Sequence, residues 1–299
     1  MTKPAVPPAR IEQMLQRRWG EISAFHQLSE GLSSQAFGFC HDGAEFVIRV
    51  NRSIVGFQKD AYASAQFSCA RVPIPDIIEI DHLDEHHAFC ISSRARGMRL
   101  HDLDEAAMQR MAEPTARTIA AIAMSNLDKT SGFGRFDPHG VGAHPSWCDY
   151  LISITDDGRN DWEKASEYVD MEQVKLLFQL VHQFSETCPE ERRLIHGDFG
   201  SYNTLSDGQH ITAVIDWDLA LFGDPLYEWA NLAFWGEDRM KLVIRQAREL
   251  SSLPQYQERL FCYQLRIGLQ EIYDSAVREN PVDLDWLTTR CSHIVEAYV

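Results

Sequence analysis

The spacing of hydrophobic residues along the chain changes at about residue 97. Before this point, branched-apolar and alternating stretches predict strands near 35–41, 44–50, 76–80 and 87–92. A helical pattern begins after Pro7-Pro8, and a second one covers about 57–70. Asp42-Gly43 separates the first two predicted strands and is typical of a two-residue hairpin turn. The first part of the chain therefore predicts a small β-rich unit.

Helical periodicity dominates the remainder of the chain. The predicted helices lie at about 103–126, 145–155, 162–186, 225–235, 239–250, 255–277 and 284–298. Short strands are expected near 193–195, 203–206 and 211–216, and the glycine-rich stretch 131–146 is expected to be an ordered surface loop. We predict an α+β fold with two domains, 1–94 and 95–299, joined by a hinge near 92–97.

Composition and charge narrow the choice of partners. The chain has 28 basic and 44 acidic residues, and the resulting net charge of −16 disfavours nucleic acid and anionic membranes. Its apolar runs are too short to span a bilayer and its N-terminus lacks a signal-peptide pattern, so a cytoplasmic location is expected. Seven scattered cysteines without a CxxC pair predict free thiols.

The strongest chemical signal is the sequence His-Gly-Asp-Phe-Gly-Ser-Tyr-Asn at 196–203, followed by a short strand and Asp216. Kinases place an Asp and an Asn five residues apart on a catalytic loop, and a second Asp after a later strand. Asp198 is predicted to orient the attacking hydroxyl and accept its proton. Asn203 and Asp216 are predicted to bind Mg²⁺ through oxygen atoms, and His196 to brace the loop by hydrogen bonds.

Two features of this region indicate a small acceptor. Gly197 stands where protein kinases have the arginine that holds a phosphorylated activation loop. Only residues 217–222 separate Asp216 from Gly-Asp-Pro at 223–225 and the next helix. An activation segment does not fit there, so the chain lacks a platform for a peptide substrate.

The predicted nucleotide contacts lie in the first domain, at Ser33, Ser34, Arg49, Asp60, Ser92 and Arg94. Arg49 is on a predicted strand where its guanidinium can bind phosphates, and Asp60 on the following helix is the candidate to hold it. Lys59 is a competing phosphate contact. The nucleotide is expected to be ATP or GTP.

The set Asp198, Asn203 and Asp216 resembles that of aminoglycoside phosphotransferases, which have a kinase-like fold. Further blocks resemble the hygromycin B phosphotransferase branch, among them 28–31, 49–51, 130–134, 213–217 and 265–269. The resemblance implies a bilobal fold with a small β-rich N-lobe and a larger, mainly helical C-lobe. It implies ATP-dependent, Mg²⁺-assisted phosphorylation of a hydroxyl on an aminocyclitol antibiotic, with Asp198 as the catalytic base. The chain departs from that branch at Gly197, Tyr202 and Asp218.

A polycationic sugar requires carboxylates and aromatic faces. The candidate acceptor contacts are Tyr202, Asp218, Glu228, Trp235, Glu271 and Asp274. Asp224 is instead expected to brace the catalytic loop through backbone amides. Core packing is the alternative for Trp235, and a solvated helix face is the alternative for Glu271 and Asp274.

Three other functions fit parts of the pattern. One is a metabolic kinase for choline, an amino alcohol or a sugar, and another is a non-catalytic, nucleotide-binding protein of the same fold. A metal-dependent hydrolase would use His196 and Asp198 as metal ligands, but the other histidines fall on unsuited elements. The expected partners are a nucleotide and a small cationic sugar, and the protein is expected to act as a monomer.

Overall fold

The computed structural model describes residues 3–28, 34–156, 158–278 and 284–298. The chain forms two compact units, the first made of 1–102 with 202–218 and the second of 103–201 with 219–299. The predicted domain boundary after residue 94 stays a prediction. The units divide the candidate catalytic residues between them, because Asp198 belongs to the second unit and Asn203 and Asp216 to the first.

The helices and strands follow the order that the hydrophobic pattern predicts, with several additions. The helices are α1 Pro8–Trp19, α2 Val55–Phe67, α3 Glu105–Ala123, α4 Trp147–Ile152, α5 Trp162–Ala165, α6 Met171–Ser185, α7 Leu226–Trp235, α8 Asp238–Ile244, α9 Tyr256–Ala276 and α10 Leu284–Tyr298. The strands are β1 Ser23–Gln27, β2 Gln35–His41, β3 Ala44–Asn51, β4 Ile77–Asp84, β5 His87–Ser93, β6 Met98–Arg99, β7 Phe133–Phe136, β8 Gly142–His144, β9 Arg193–Ile195, β10 Thr204–Ser206, β11 Ile211–Val214 and β12 Leu221–Gly223.

Three predictions of secondary structure were wrong. The helix predicted over 239–250 ends at Ile244 and is followed by the 3-10 helix Arg245–Ser252. The helix predicted over 162–186 is two helices, α5 and α6, and Asp170 caps the second by accepting a hydrogen bond from the amide of Glu172 at 2.9 Å. The loop 131–146 contains the paired strands β7 and β8. An acceptor side chain at a helix start interrupts the helix although the apolar spacing continues across it.

A five-stranded antiparallel sheet of order β1-β2-β3-β5-β4 forms most of the first unit. Asp42 and Gly43 join β2 to β3 with φ of 48° and 77°, as a type I′ turn requires. The predicted hairpin is therefore confirmed. β1 was not predicted because its residues are largely exposed and carry no apolar alternation.

The central strand β5 is buried on both faces. Phe89 and Ile91 belong to the same apolar cluster as Ile11 and Leu15 of α1. Ala88 and Cys90 alternate with them and pack instead with Phe57 of α2. Because successive side chains of a strand point to opposite faces, the sheet has one helix on each face.

A second, three-stranded sheet of order β11-β10-β6 completes the first unit. In it Leu205 of β10 pairs with Arg99 of β6. Gly97 precedes β6 with φ +92°, and a Cβ there would lie 2.1 Å from the carbonyl oxygen of Ser206. Only glycine allows this close approach of the two backbones.

The second unit is built around the long helix α9, whose buried residues share one apolar cluster with residues of α4, α6, α7 and α10. A four-stranded sheet of order β8-β7-β12-β9 accompanies these helices. β9 leads directly into the sequence 196–203. Among the described residues, no helix combines the length and the apolar content needed to cross a bilayer.

α9 is tightly packed at Gly268. A Cβ at Gly268 would lie 2.3 Å from Cys291 Sγ and 3.0 Å from the Phe234 ring. We expect Gly268→Ala to lower the free energy of unfolding by about 1–3 kcal/mol, because an extra methyl group overpacks a dense core. Urea denaturation measures this difference. Gln257→Ala, at an exposed position of α9, should change it by less than about 0.5 kcal/mol, and equal effects of the two changes would contradict the packing argument.

Candidate active site

The residues that surround Asp198 give its loop an unusual backbone. Gly197 has φ +81°, and a Cβ there would lie 2.4 Å from the carbonyl oxygen of Leu219. The positive φ and this close contact both require glycine. Gly197 therefore has a backbone role in addition to the absence of the protein-kinase arginine.

Glu228 of α7 holds the loop from inside the protein. Its carboxylate is 3% exposed and accepts hydrogen bonds from the amides of His196 at 2.6 Å, Gly197 at 3.1 Å and Phe199 at 3.3 Å. Glu228 was predicted to bind the acceptor, and this prediction was wrong because both carboxylate oxygens are occupied by the loop.

Burial raises the pKa of Glu228 to about 7. The three amide donors favour the charged carboxylate and limit this rise, whereas the nearby Asp198 adds to it. Asn231 follows three residues later on α7 and donates from Nδ2 to the carbonyl oxygen of Gly197 at 3.1 Å. Residues three apart share a helix face, so Glu228 and Asn231 hold the same loop.

Two further side chains of the second unit fix the loop. His196 is fully buried, and its Nδ1 accepts a hydrogen bond from the amide of Asp198 at 3.3 Å. This contact agrees with the bracing role predicted for His196. Farther along, the hydroxyl of Ser201 donates to the carboxylate of Glu237, which precedes α8. This role of Glu237 was not predicted from the sequence.

Asp224 does not brace the loop, contrary to the prediction. Its Oδ2 accepts two hydrogen bonds from Arg259, at 2.6 and 2.9 Å, and one from the hydroxyl of Tyr263 at 2.5 Å. Its Oδ1 accepts from the amide of Leu226 at the start of α7. Asp224 and Glu228 are one helical turn apart, and the sequence does not indicate which acid faces the loop. The partner of Asp224, Arg259, lies 35 residues away on α9, so no local sequence pattern indicates this pairing.

In the first unit, Asp216 has φ +68°, a left-handed conformation that residues other than glycine seldom adopt. The chain is held on both sides of it. The amide of Ile215 donates to the carbonyl oxygen of Asn203 at 2.9 Å, and the amide of Trp217 donates to the carboxylate of Asp60 at 2.8 Å. The two predicted metal ligands thus lie on adjoining backbone segments. Strained backbone held in this way is common at functional sites.

Asp60 also pairs with Arg49, as the sequence predicted, and its side chain is buried on α2. Burial alone would lower the pKa of Arg49, but the charges of Asp60, Cys90 and Asp216 outweigh burial and raise it. The guanidinium therefore stays charged. The competing candidate Lys59 is buried and donates from Nζ to the carbonyl oxygen of Asp218.

Negative charge accumulates around Asp216. Burial, together with the carboxylates of Asp60 and Asp218 and against the charge of Arg49, raises the pKa of Asp216 to about 6. A hard divalent cation prefers a site with several oxygen ligands and more negative than positive charge. The residues present therefore fit Mg²⁺. Within the described ranges, no three or more His, Cys, Asp or Glu side chains are grouped so that they alone could hold a metal ion.

The other predicted nucleotide contacts are placed as follows. Ser33 lies outside the described residues, and Ser34 Oγ accepts from Asn51 Nδ2 at 3.1 Å. Ser92 is buried in β5. The amide of Arg94 donates to the carbonyl oxygen of Glu45 at 3.1 Å. The Arg94 amide is thus already bonded. A nucleotide base at 92–94 would therefore contact carbonyl oxygens of this stretch, together with any amide that is not already bonded.

The remaining acceptor candidates divide between the two units. Tyr202 and Asp218 are exposed in the first unit. In the second unit, burial raises the pKa of Glu271, and the neighbouring carboxylate of Asp274 raises it too. The positive charges of Arg135 and Arg278 oppose this rise. The acidic pair on α9 is thus partly buried and not a solvated face.

Trp235 is 43% exposed, which excludes core packing as its role. Its ring stacks on that of Trp286 with 5.7 Å between centroids. Both line a cavity of about 540 Å³ whose other side chains include Lys241, Arg290 and His293. These basic side chains are unsuited to a polycation, so the surroundings of Trp235 do not match its predicted role.

Comparison with known proteins identifies relatives along nearly the whole chain. The model of the phosphotransferase enzyme family, APH, matches residues 24–261. Hygromycin-B 4-O-kinase of Escherichia coli is 39% identical over 303 residues, which cover 99% of this chain and 88% of that protein.

Solved structures agree with these matches. A thermostable mutant of aminoglycoside phosphotransferase APH(4)-Ia, in a ternary complex with AMP-PNP and hygromycin B, is 39% identical with a TM-score of 0.89 and covers 96% of this chain and 98% of that chain. A GDP and kanamycin complex of APH(2")-IIia has a TM-score of 0.66 at 17% identity, with 96% and 97% coverage, and shows the fold alone. The predicted kinase-like α+β fold is confirmed.

The buried Glu228 predicts a pH dependence of stability. The folded protein retains a proton on Glu228 up to about pH 7, whereas the ordinary value of 4.5 applies to the unfolded chain. The unfolded chain therefore binds fewer protons in this window, and the contribution of Glu228 to the free energy of unfolding falls as the pH rises from about 4.5 to 7. The stabilisation that Glu228 contributes is therefore fully present below the unfolded-state pKa of 4.5 and is lost as the pH rises to about 7.

Glu228→Gln removes the titrating group and keeps its shape. We expect the unfolding free energy of the native protein, relative to Glu228→Gln, to fall by on the order of 3 kcal/mol between pH 4.5 and 7.5. Urea denaturation across this pH range measures the difference. Glu167→Gln, at an exposed carboxylate of the same unit, is the control. A pH-independent difference between native protein and Glu228→Gln would show that Glu228 does not titrate in the window.

Proposed function

Because the chain belongs to the phosphotransferase enzyme family, we propose that it transfers the γ-phosphate of ATP to a hydroxyl of hygromycin B or a similar aminoglycoside antibiotic. The observation that carries this proposal is the 39% identity to a hygromycin-B 4-O-kinase over 99% of this chain. The rigid loop that presents Asp198 supplies the chemistry. Phosphorylation of the antibiotic would inactivate it and confer resistance.

Asp198 is the proposed catalytic base. Its carboxylate orients the acceptor hydroxyl and takes the proton as the oxygen attacks phosphorus, a role that depends on positioning more than on covalent chemistry. The amide of Asp198 is bonded to buried His196, and the preceding and following amides are bonded to Glu228. The loop backbone is thus preorganised before any substrate binds.

Asn203 and Asp216 would hold Mg²⁺, which when bound neutralises charge on the nucleotide phosphates. The raised pKa of Asp216, about 6, supports this assignment because a nearby cation would stabilise the ionised carboxylate. Arg49, held by Asp60, is the proposed phosphate contact of the first unit. Its guanidinium can donate to two phosphate oxygens at once.

The acceptor contacts that remain supported are Tyr202, Asp218, Glu271 and Asp274. The carboxylates among them suit the ammonium groups of an aminoglycoside, and Tyr202 suits a sugar ring. We propose ATP over GTP because the 39%-identical solved relative is a complex with AMP-PNP. Action as a monomer stays a prediction, which the mass in solution tests.

A panel of acceptors tests the proposed function. With ATP and Mg²⁺ present, hygromycin B should stimulate ADP release well above the rate with ATP alone, because the attacking hydroxyl replaces water. The panel includes other aminoglycosides, choline and simple sugars. Stimulation by choline or a sugar alone would identify a metabolic kinase, and stimulation by none would reject the proposed acceptor class.

Asp198→Asn identifies the base within the same assay. We expect turnover to fall by about 10²- to 10⁴-fold, the usual contribution of general-base catalysis, with the Kd for AMP-PNP within a few-fold of the native value. Asp128→Asn, at an exposed carboxylate of the same unit, should leave both quantities unchanged. Near-native turnover of Asp198→Asn would remove Asp198 from the mechanism.

Asp216→Asn tests the metal assignment by a binding measurement. Asn tolerates the left-handed backbone of Asp216 but lacks its charge. ATP with Mg²⁺ should raise the Tm of the native protein above the value with ATP and chelator, and Asp216→Asn should lose this metal-dependent increase. Asp42→Asn replaces another aspartate of positive φ, in an exposed hairpin, and should retain it. A full increase in Asp216→Asn would contradict metal binding by this carboxylate.

A further inference from the structure

An aromatic pair in the first unit joins the 3-10 turn Leu100–Asp102 to the catalytic loop. The rings of His101 and Tyr202 are stacked, with 4.0 Å between centroids and 23° between planes. The Tyr202 hydroxyl and His101 Nε2 lie 3.1 Å apart, within hydrogen-bond distance. Two side chains 101 residues apart in sequence thus hold each other in one orientation.

Strand β6, which directly precedes the turn that carries His101, places the backbone of His101 near that of Tyr202. β6 pairs with β10 through Arg99 and Leu205, and β10 begins two residues after Tyr202. Gly97 allows the two backbones to approach closely at Ser206. The backbone on both sides of the stack is therefore anchored to one small sheet.

Arg99 supplies a charge beside the same ring. Its guanidinium carbon lies 5.5 Å from the Tyr202 centroid. Its Nε and Nη2 donate to the carboxylate of Asp102 at 2.9 and 3.3 Å. The carboxylate balances the charge of Arg99, so a cationic ligand at Tyr202 does not meet an uncompensated positive charge.

Tyr202 is 52% exposed although its ring is stacked and bonded. It lies between Asp198 and Asn203 in the chain, immediately before a proposed metal ligand. An ordered aromatic ring with so much exposed surface adds little to a core, and the exposed part of the ring suits the CH groups of a sugar. Because the Tyr202 side chain is already ordered, binding a ligand against it costs less conformational entropy than binding against a freely rotating side chain.

We propose that Tyr202 is a specificity-determining contact for a sugar ring of the acceptor, and that His101 is the positioning residue that holds it. This inference rests on the proposed aminoglycoside acceptor. It assigns to His101 a role that the catalytic motif does not contain. The expected signature is an effect on acceptor KM with little effect on nucleotide binding.

Three variants separate the parts of this arrangement. His101→Ala removes both the stack and the hydrogen bond, His101→Phe keeps an aromatic partner, and Tyr202→Phe removes only the hydroxyl. His82→Ala, at an exposed histidine of β4 in the same unit, is the control. For each, KM and kcat for hygromycin B, the Kd for AMP-PNP and the Tm are measured.

We expect His101→Ala to raise the KM for hygromycin B about threefold to tenfold, the range that loss of one aromatic stack allows, with kcat and the Kd for AMP-PNP nearly unchanged. His101→Phe should restore most of the KM. A KM for His101→Ala equal to that of His82→Ala would overturn the proposal. So would a loss of Tm, nucleotide affinity and kcat together, since that pattern indicates a merely structural residue.

A measurement without acceptor keeps the inference testable if hygromycin B is not the substrate. In protein labelled with 3-fluorotyrosine, Tyr202→Phe identifies the ¹⁹F resonance of Tyr202. That resonance should shift in His101→Ala and stay in place in His82→Ala, because only the first change frees the ring. An unshifted resonance would refute the positioning role of His101, whereas failure of the acceptor panel alone would refute the proposed function.

Discussion

The buried carboxylate of Glu228 is the constraint on which the catalytic loop depends. Gly197 has a positive φ, and the amides of His196, Gly197 and Phe199 all donate hydrogen bonds to Glu228. A buried acid without such donors would be strongly destabilising, and buried amides without an acceptor would be equally so. Each therefore requires the other. The loop that presents Asp198 is held rigidly because two costly groups satisfy one another inside the second unit.

The first unit uses the same principle with Asp60. This carboxylate, buried on α2, pairs with Arg49 of β3 and accepts the amide that follows Asp216. One side chain thus connects the proposed phosphate contact with the proposed metal ligand. The left-handed backbone of Asp216 is kept by this hydrogen bond and by the strand contact to Asn203. Strain at a ligand position is stable only where its surroundings determine it from both sides.

Hydrogen bonding such as that of Glu228 and Asp60 also explains which acidic residues have a structural role and which can contact a ligand. Three acidic residues near the motif have buried carboxylates that accept hydrogen bonds from backbone amides or from arginine. They are Glu228, Asp60 and Asp224. Acidic residues that keep accessible oxygens, such as Asp218, remain able to meet a ligand. Accessibility and hydrogen-bond occupancy, and not charge alone, separate structural acids from candidate ligand contacts.

The sequence alone determined most of the helices and strands, the hairpin at Asp42-Gly43, the pairing of Arg49 with Asp60 and the family, because local periodicity, turn chemistry and a spaced motif are written along the chain. Tertiary structure alone decided which of two acids one helical turn apart braces the loop. It also decided that Trp235 is surrounded by basic side chains and that His101 stacks on Tyr202. These facts depend on side chains distant in sequence, such as Arg259 for Asp224, and no local pattern encodes which distant partner a buried charge will find.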